Sequence, residues 1–174
     1  KKNGKYIVFC SGKEHMDEMK EQASTWFRRV DREPRIYTAF YNDTATDREF
    51  REFKKDNSAH LKLLFCIDML NEGVHVDDVD GVILLRPTVS PIIYLQQIGR
   101  ALSAGSGKTP VIFDLVNNFD SLYCIDSLKK ELEEAFAMFP TTYGEGTHFS
   151  GRFQITDEIK DCRVLFQKLQ ANLS

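Results

Sequence analysis

The 174-residue chain is 42% hydrophobic, enough apolar matter for one core and a small appendage but not for two large domains. Its formal net charge of −3 excludes a broadly basic surface, so any contact with a polyanion has to be local. No apolar run approaches the roughly 18–20 residues of a membrane span, and Lys1-Lys2-Asn3-Gly4 holds no apolar signal core, so a soluble, cytoplasmic protein with no membrane partner is expected.

Taken in order, Lys5–Cys10 (KYIVFC) is a short apolar run that predicts a strand buried on both faces. Met16, Met19, Ala23, Phe27 and Val30 follow at helical spacing, and Arg35–Phe40 predicts a second strand. Thr46 and Glu49 have the spacing of a capping box ahead of Phe50 and Phe53. Leu61–Ile67 (LKLLFCI) and Gly81–Leu85 (GVILL) predict two more buried strands. Ser90 followed by Pro91 predicts an N-cap with proline at the first helical position. Pro110–Val116 predicts a strand, and Leu122, Ile125, Leu128, Leu132, Phe136 and Phe139 form the stripe of a helix. Strand alternates with helix throughout, which predicts a three-layer α/β/α sandwich over a mostly parallel sheet, ending near 139. Residues 140–151, rich in Gly and Thr, read as a loop or linker. Residues 152–174 read as a short strand and a C-terminal amphipathic helix striped by Ile159, Cys162, Leu165, Phe166, Leu169 and Leu173. The chain opens on lysine rather than methionine, and an upstream part is expected.

Cys10, Cys66, Cys124 and Cys162 are too scattered for a zinc or thiol-redox site and are expected to be reduced thiols. Gly105-Ser106-Gly107-Lys108-Thr109 ends like a phosphate-binding P-loop, but the glycine such a loop needs five residues before Gly107 is Leu102. The segment also runs from helix to strand, the reverse of a P-loop. It reads as an exposed turn, and a nucleotide kinase-like use of it is the rival that tight ATP binding by this chain would reveal. Around ATP hydrolysis the chain therefore lacks the usual phosphate-binding Lys and Mg²⁺ ligands.

The informative run is Leu63–Gly105. Cys66, Ile67, Asp68 and Gly73 follow the order of helicase motif V, and Gln96, Gly99 and Arg100 match the Gln-x-x-Gly-Arg of motif VI. The opening strand with Ser11 looks like motif IV. Over roughly residues 5–139 the chain resembles the second RecA-like lobe of a superfamily 2 DEAD/DEAH-type helicase, most like the type III restriction enzyme-like branch. That resemblance implies a RecA-like, P-loop NTPase fold without the P-loop. It implies one lobe of an ATP-dependent nucleic-acid helicase or translocase, with DNA favoured over RNA as partner. ATP with Mg²⁺ would be bound mainly by the N-terminal RecA-like lobe of the same protein, and this lobe alone would be inactive as an ATPase.

On that resemblance Arg100 is the arginine finger and Gln96 its companion. Gly73, His75 and Gly99 are nucleotide contacts, Ser11, Lys13, Asp68 and Met69 are nucleic-acid contacts, and no metal ligand falls on this chain. The chemistry is independently reasonable. Charge moves among phosphate oxygens as the bond breaks, a guanidinium stays charged with planar donors, and a finger on the opposite lobe makes hydrolysis depend on closure. Gln96 precedes Arg100 by four residues and shares its helix face. Two positions depart from the family pattern, since Ser103 replaces the second motif VI arginine and Ile67 the motif V threonine.

Weaker features have plainer readings. Gln97 and Arg86 suit a solvated face or a local ion pair, and Asp77, Asp78 and Asp80 suit solvated caps in a turn rather than a metal site. Phe40 and Tyr41 suit core or rim packing rather than base stacking. His75 is evenly balanced between a satisfied or exposed histidine and a sugar contact, and His15, His60 and His148 show no partner pattern and read as surface residues. The alternative for the whole chain is a non-catalytic protein-interaction module that kept the fold, for which Ser103 and the last amphipathic helix argue.

Overall fold

A computed structural model describes residues 2–40, 45–67, 78–102, 110–118 and Lys130. In chain order it contains β1 (Lys5–Phe9), α1 (Lys13–Trp26), β2 (Arg35–Ala39), α2 (Thr46–Lys55), β3 (Lys62–Cys66), β4 (Gly81–Leu84), α3 (Pro91–Leu102) and β5 (Val111–Asp114). Every expected strand among the described residues is present, each a residue or more shorter than its apolar run. Apart from Lys130, the predicted 122–139 helix lies outside the described residues, as do the 140–151 loop, the 152–174 extension, Tyr41, Asp77, Ser103, the Gly105–Thr109 turn, Cys124, His148 and Cys162.

The five strands form one sheet in the order β2-β3-β1-β4-β5, and every pairing is parallel. From β1 the chain steps outward to β2, returns to β3, then crosses to β4 and continues to β5. Right-handed crossovers over such an order place α1 on one face of the sheet and α2 and α3 on the other. The packing agrees. Met16 and Ala23 of α1 join Val8, Leu63, Phe65 and Ile83 in one cluster. Phe53 of α2 and Tyr94 and Ile98 of α3 join Ile7, Phe9, Leu64 and Val82 in the other. Strands β3 and β4 are buried along their whole length, which is why they read as unbroken apolar runs rather than alternating ones. Helix α1 ends at Trp26, so Val30, expected on its stripe, lies beyond it and is exposed. Among the described residues no helix is long and apolar enough to cross a membrane.

The expected capping box at Thr46 does not form. Ala45 occupies the N-cap of α2 and offers no side-chain cap. Thr46 Oγ1 instead accepts the Phe40 N–H at 3.1 Å and donates to the Phe40 carbonyl at 2.9 Å, while Glu49 Oε2 accepts the Thr38 N–H at 3.3 Å. β2 is an edge strand, and alternate amides of an edge strand point away from the sheet. Thr46 and Glu49 satisfy two of these orphan amides, so their pattern marks the sheet edge rather than the helix end. At Ser90 the expectation holds: its Oγ accepts the Ile93 N–H at 3.4 Å, and Pro91 opens α3.

The amino ends of the strands carry buried charge. Lys5 and Lys62, register partners on β1 and β3, are both buried. Lys5 Nζ donates to the Lys54 carbonyl at 2.7 Å, and Lys62 Nζ donates to the Ser58 and Asn3 carbonyls at 2.6 and 3.2 Å. Asp80, expected to be a solvated cap, accepts the Lys5 N–H at 2.9 Å and ties β4 to β1. Asp31 is 5% exposed and accepts the Leu61 N–H at 2.8 Å, His60 Nδ1 at 3.0 Å and the Glu33 N–H at 3.1 Å. His60, read as a surface residue, is half-buried and partnered; its partner lies 29 residues away, beyond any local pattern.

Candidate functional site

All five strands end at one rim, where chain segments suited to ligand contact emerge. Hydrogen bonds carry the sheet register to that edge: Cys10 N–H to the Cys66 carbonyl, Leu85 N–H to the Phe9 carbonyl and Ile67 N–H to the Ala39 carbonyl. Cys10 is buried, and its thiol is pushed up to about 12 by that burial. It stays protonated at neutral pH and is no nucleophile.

Ser11 and Lys13 stand exposed where β1 passes into α1. The Ser11 N–H donates to His15 Nδ1 at 3.3 Å, and Ser11 Oγ lies 2.8 Å from the same nitrogen. A backbone N–H can only donate, so Nδ1 accepts there and the histidine carries its proton on Nε2 when neutral. His15, for which the sequence offered no partner pattern, is thus paired with Ser11. Gly12 is the N-cap of α1, in extended backbone and without a side-chain cap; a Cβ there would meet nothing within 4 Å. The first turn of α1 is consequently uncovered, and Lys13 Nζ sits 4.3 Å from the centre of the Phe40 ring beside it. Phe40 packs into the α1-side cluster, as its rim reading required. Uncapped helix amides next to a lysine form a donor-rich edge suited to oxygen anions.

The motif VI residues occupy a different surface. α3 joins the carboxyl end of β4 to the amino end of β5, and these strands are parallel, so α3 must run back down the sheet. At 1.5 Å per residue, position 100 lies about 13 Å below the start of the helix, away from the rim. Tyr94 and Ile98 face the core. With 3.6 residues per turn, position 96 falls on the side turned away from it. Gln96 is half-buried and Gly99 buried; the Arg100 side chain lies outside the described residues. Ser11 and Lys13 thus stand at the carboxyl rim, while Gln96 lies on α3 below it.

Gln97, expected on a solvated face or in an ion pair, is 1% exposed. Neither its Nε2 nor its Oε1 has a hydrogen-bond partner. One helical step from Ile98 turns it inward, where a polar terminus is costly. Arg86 is half-buried, and its carbonyl is engaged by Asn118.

Asn118 is a residue that sequence reasoning missed. Buried just after β5, it accepts the Thr88 N–H through Oδ1 at 2.8 Å, donates Nδ2 to the Arg86 carbonyl at 3.0 Å, and donates its own N–H to Asp114 Oδ1 at 3.0 Å. It thereby fixes the loop that leads into α3. Its only local signal was an Asn pair closing a strand, a weak turn cue. The expected contacts Asp68, Met69, Gly73 and His75 lie outside the described residues.

Comparison with known proteins follows the same lines. The model of a family described as the helicase conserved C-terminal domain matches residues 1–105. The type I restriction enzyme EcoKI endonuclease subunit of Escherichia coli (strain K12) is 26% identical over 163 residues, covering 88% of this chain and 14% of that protein. A 51.5 kDa protein of a Lactococcus phage (isolate 7-9) is 37% identical over 62 residues, covering 36% of this chain and 14% of that protein. The match thus spans only about one-seventh of either relative's length. Among solved structures, Mss116p DEAD-box helicase domain 2 bound to an RNA duplex superposes with TM-score 0.55 at 22% identity, covering 77% of this chain and 48% of that one. The C-terminal domain of S. cerevisiae Dbp5 bound to Gle1 and IP6 superposes with TM-score 0.53 at 18% identity, covering 75% and 71%. At such identities the superpositions speak for the fold alone.

Proposed function

The chain belongs to the helicase C-terminal domain family of superfamily 2, and from that premise we propose that it is the second lobe of an ATP-dependent helicase or translocase whose hydrolysis is completed by Arg100. The observation that supports this reading is the match of Gln96, Gly99 and Arg100 to motif VI on α3, a helix anchored to the core by Tyr94 and Ile98. A guanidinium there can reach phosphates held by a facing lobe. Half-buried Gln96 keeps an amide within reach of the same place, which fits a nucleotide wedged against this flank. Bound ATP with Mg²⁺, held mainly by the N-terminal lobe, supplies the phosphoanhydride whose cleavage drives movement.

This chain's residues then divide the work. Arg100 stabilises charge developing on the phosphate oxygens only when the lobes are closed, and Gln96 orients the guanidinium or the nucleotide. Gly73 lets the nucleotide approach the backbone closely, His75 contacts its sugar, and Gly99 is a further nucleotide contact. At the rim, Lys13 and the open amides of α1 hold backbone phosphates, with Asp68 and Met69 continuing the track. The Ser11 hydroxyl has to exchange His15 for phosphate to join them. DNA is the favoured nucleic acid, a preference supported by the restriction-enzyme relative.

The test joins this lobe to its N-terminal partner and measures ATPase stimulated by DNA or by RNA. Arg100→Ala should lower the stimulated kcat by about 10³-fold or more, with the circular dichroism spectrum unchanged. Full activity in that variant removes the finger, and no stimulated ATPase in the unaltered joined protein would leave the non-catalytic interaction module as the better reading.

A further inference from the structure

The rim opposite Ser11 and Lys13, at the amino ends of the strands, holds a second feature. A hollow of about 410 Å³ opens there beside the end of α1, within the size range of small-ligand clefts. Its walls come from three separate segments: Lys2 ahead of β1, Arg28–Glu33 after α1, and His60 ahead of β3. Strands of five residues separate it from the carboxyl rim by about 16 Å.

The hollow concentrates positive charge in a chain whose net charge is −3. Arg28, Arg29 and Arg32 are exposed, and among the described residues their guanidinium groups make no hydrogen bond or ion pair. Lys2 adds a fourth cation. Two acids stand nearby, Asp31 and Glu33, and they offset two of the four cations. Asp31 is buried, with its oxygens taken by the Leu61 N–H, the Glu33 N–H and His60, so it forms no ion pair with an arginine. The lining keeps a positive balance. Asp31 acts instead as a peg that holds the arginine-bearing turn, which Phe27 also fixes by accepting the Val30 and Asp31 N–H groups at 2.8 Å each. Because His60 spends Nδ1 on Asp31, Nε2 is the ring nitrogen left for the hollow.

We propose that this hollow binds a phosphate group carried by a small anion. Guanidinium forks match phosphate oxygens in pairs, and a turn already fixed loses little freedom on binding. Among the described residues no aromatic side chain lines the hollow, so they offer no stacking platform of the kind a nucleic-acid strand uses, and a compact anion fits better. The site is independent of the helicase reading, since it uses none of the same residues.

The experiment is calorimetric titration of the 174-residue chain with inorganic pyrophosphate at constant ionic strength. Saturable binding is expected, weakened at least tenfold by Arg29→Glu and by Arg32→Glu, and unchanged by Arg51→Glu, which alters net charge equally on α2. Pyrophosphate should also protect Arg28, Arg29 and Arg32 of the unaltered chain from phenylglyoxal, read by mass spectrometry. A parallel arm uses single-stranded oligonucleotides with and without a 5′-phosphate. Absence of saturation, equal weakening by Arg51→Glu, or oligonucleotide binding that depends on Arg29 and Arg32 but not on the terminal phosphate would each overturn the proposal, the last in favour of a nucleic-acid track.

Discussion

Asn118 holds Thr88 in place: the Thr88 N–H donates to Asn118 Oδ1 at 2.8 Å across 30 residues of sequence. With the bond from Nδ2 to the Arg86 carbonyl, the side chain pins the stretch between β4 and α3 from both sides. The position of α3, and with it the flank bearing Gln96 and Arg100, rests on this clasp.

Asn118→Ala should therefore lower stability by about 2 kcal/mol, since it strands a donor and an acceptor together. Urea denaturation measures the loss. In the joined two-lobe protein the same change should reduce ATPase less than Arg100→Ala does, because it loosens the helix without removing the cation. A stability change within about 0.5 kcal/mol would show that the clasp is idle.

Asp31 predicts an acid sensitivity. The Leu61 N–H, followed by the Glu33 N–H and His60, holds its carboxyl below the usual carboxylate range against the opposing effect of burial. A folded value depressed below the unfolded value of about 3.9 means that the contribution is fully present above that pH. It is lost as pH falls through the lowered folded value. Asp31→Asn should flatten the acid limb of a stability-versus-pH curve, followed by denaturation from neutral pH down to 2. An unchanged limb would locate the sensitivity elsewhere.

At Gly81 the constraint is steric. A Cβ there would run into the Val111 carbonyl oxygen of the neighbouring strand, and backbone cannot step aside as a side-chain tip can. Gly81→Ala should cost roughly 3 kcal/mol, at the upper end of overpacking penalties. Gly12→Ala, which meets nothing nearby, is the matched control, and equal thermal midpoints for the two variants would contradict this view.

Gln97 buries an amide that has no partner. Gln97→Met keeps its length and removes both polar atoms, so it should raise stability by about 1 kcal/mol. Guanidinium denaturation would show the gain as a higher midpoint with an unchanged slope. A fall in the midpoint would mean that the amide is satisfied after all.

Much of this protein was written in local pattern. Apolar runs over Lys5–Phe9, Lys62–Cys66 and Gly81–Leu84 announced strands buried on both faces, their alternation with helices implied a parallel sheet, and Gln96, Gly99 and Arg100 pointed to the family. These features depend on neighbours a few residues apart, where backbone geometry and hydrophobic period act. Tertiary structure alone decided which pattern meant what. Thr46 and Glu49 had the spacing of a helix cap but cover the open edge of β2, and Gln97 turned from surface to core. Asn118 with Thr88, and Asp31 with Leu61 and His60, join segments about 30 residues apart. Such pairings form only after the sheet has brought distant strand ends together, because burial and hydrogen-bond satisfaction are settled by the whole packed chain.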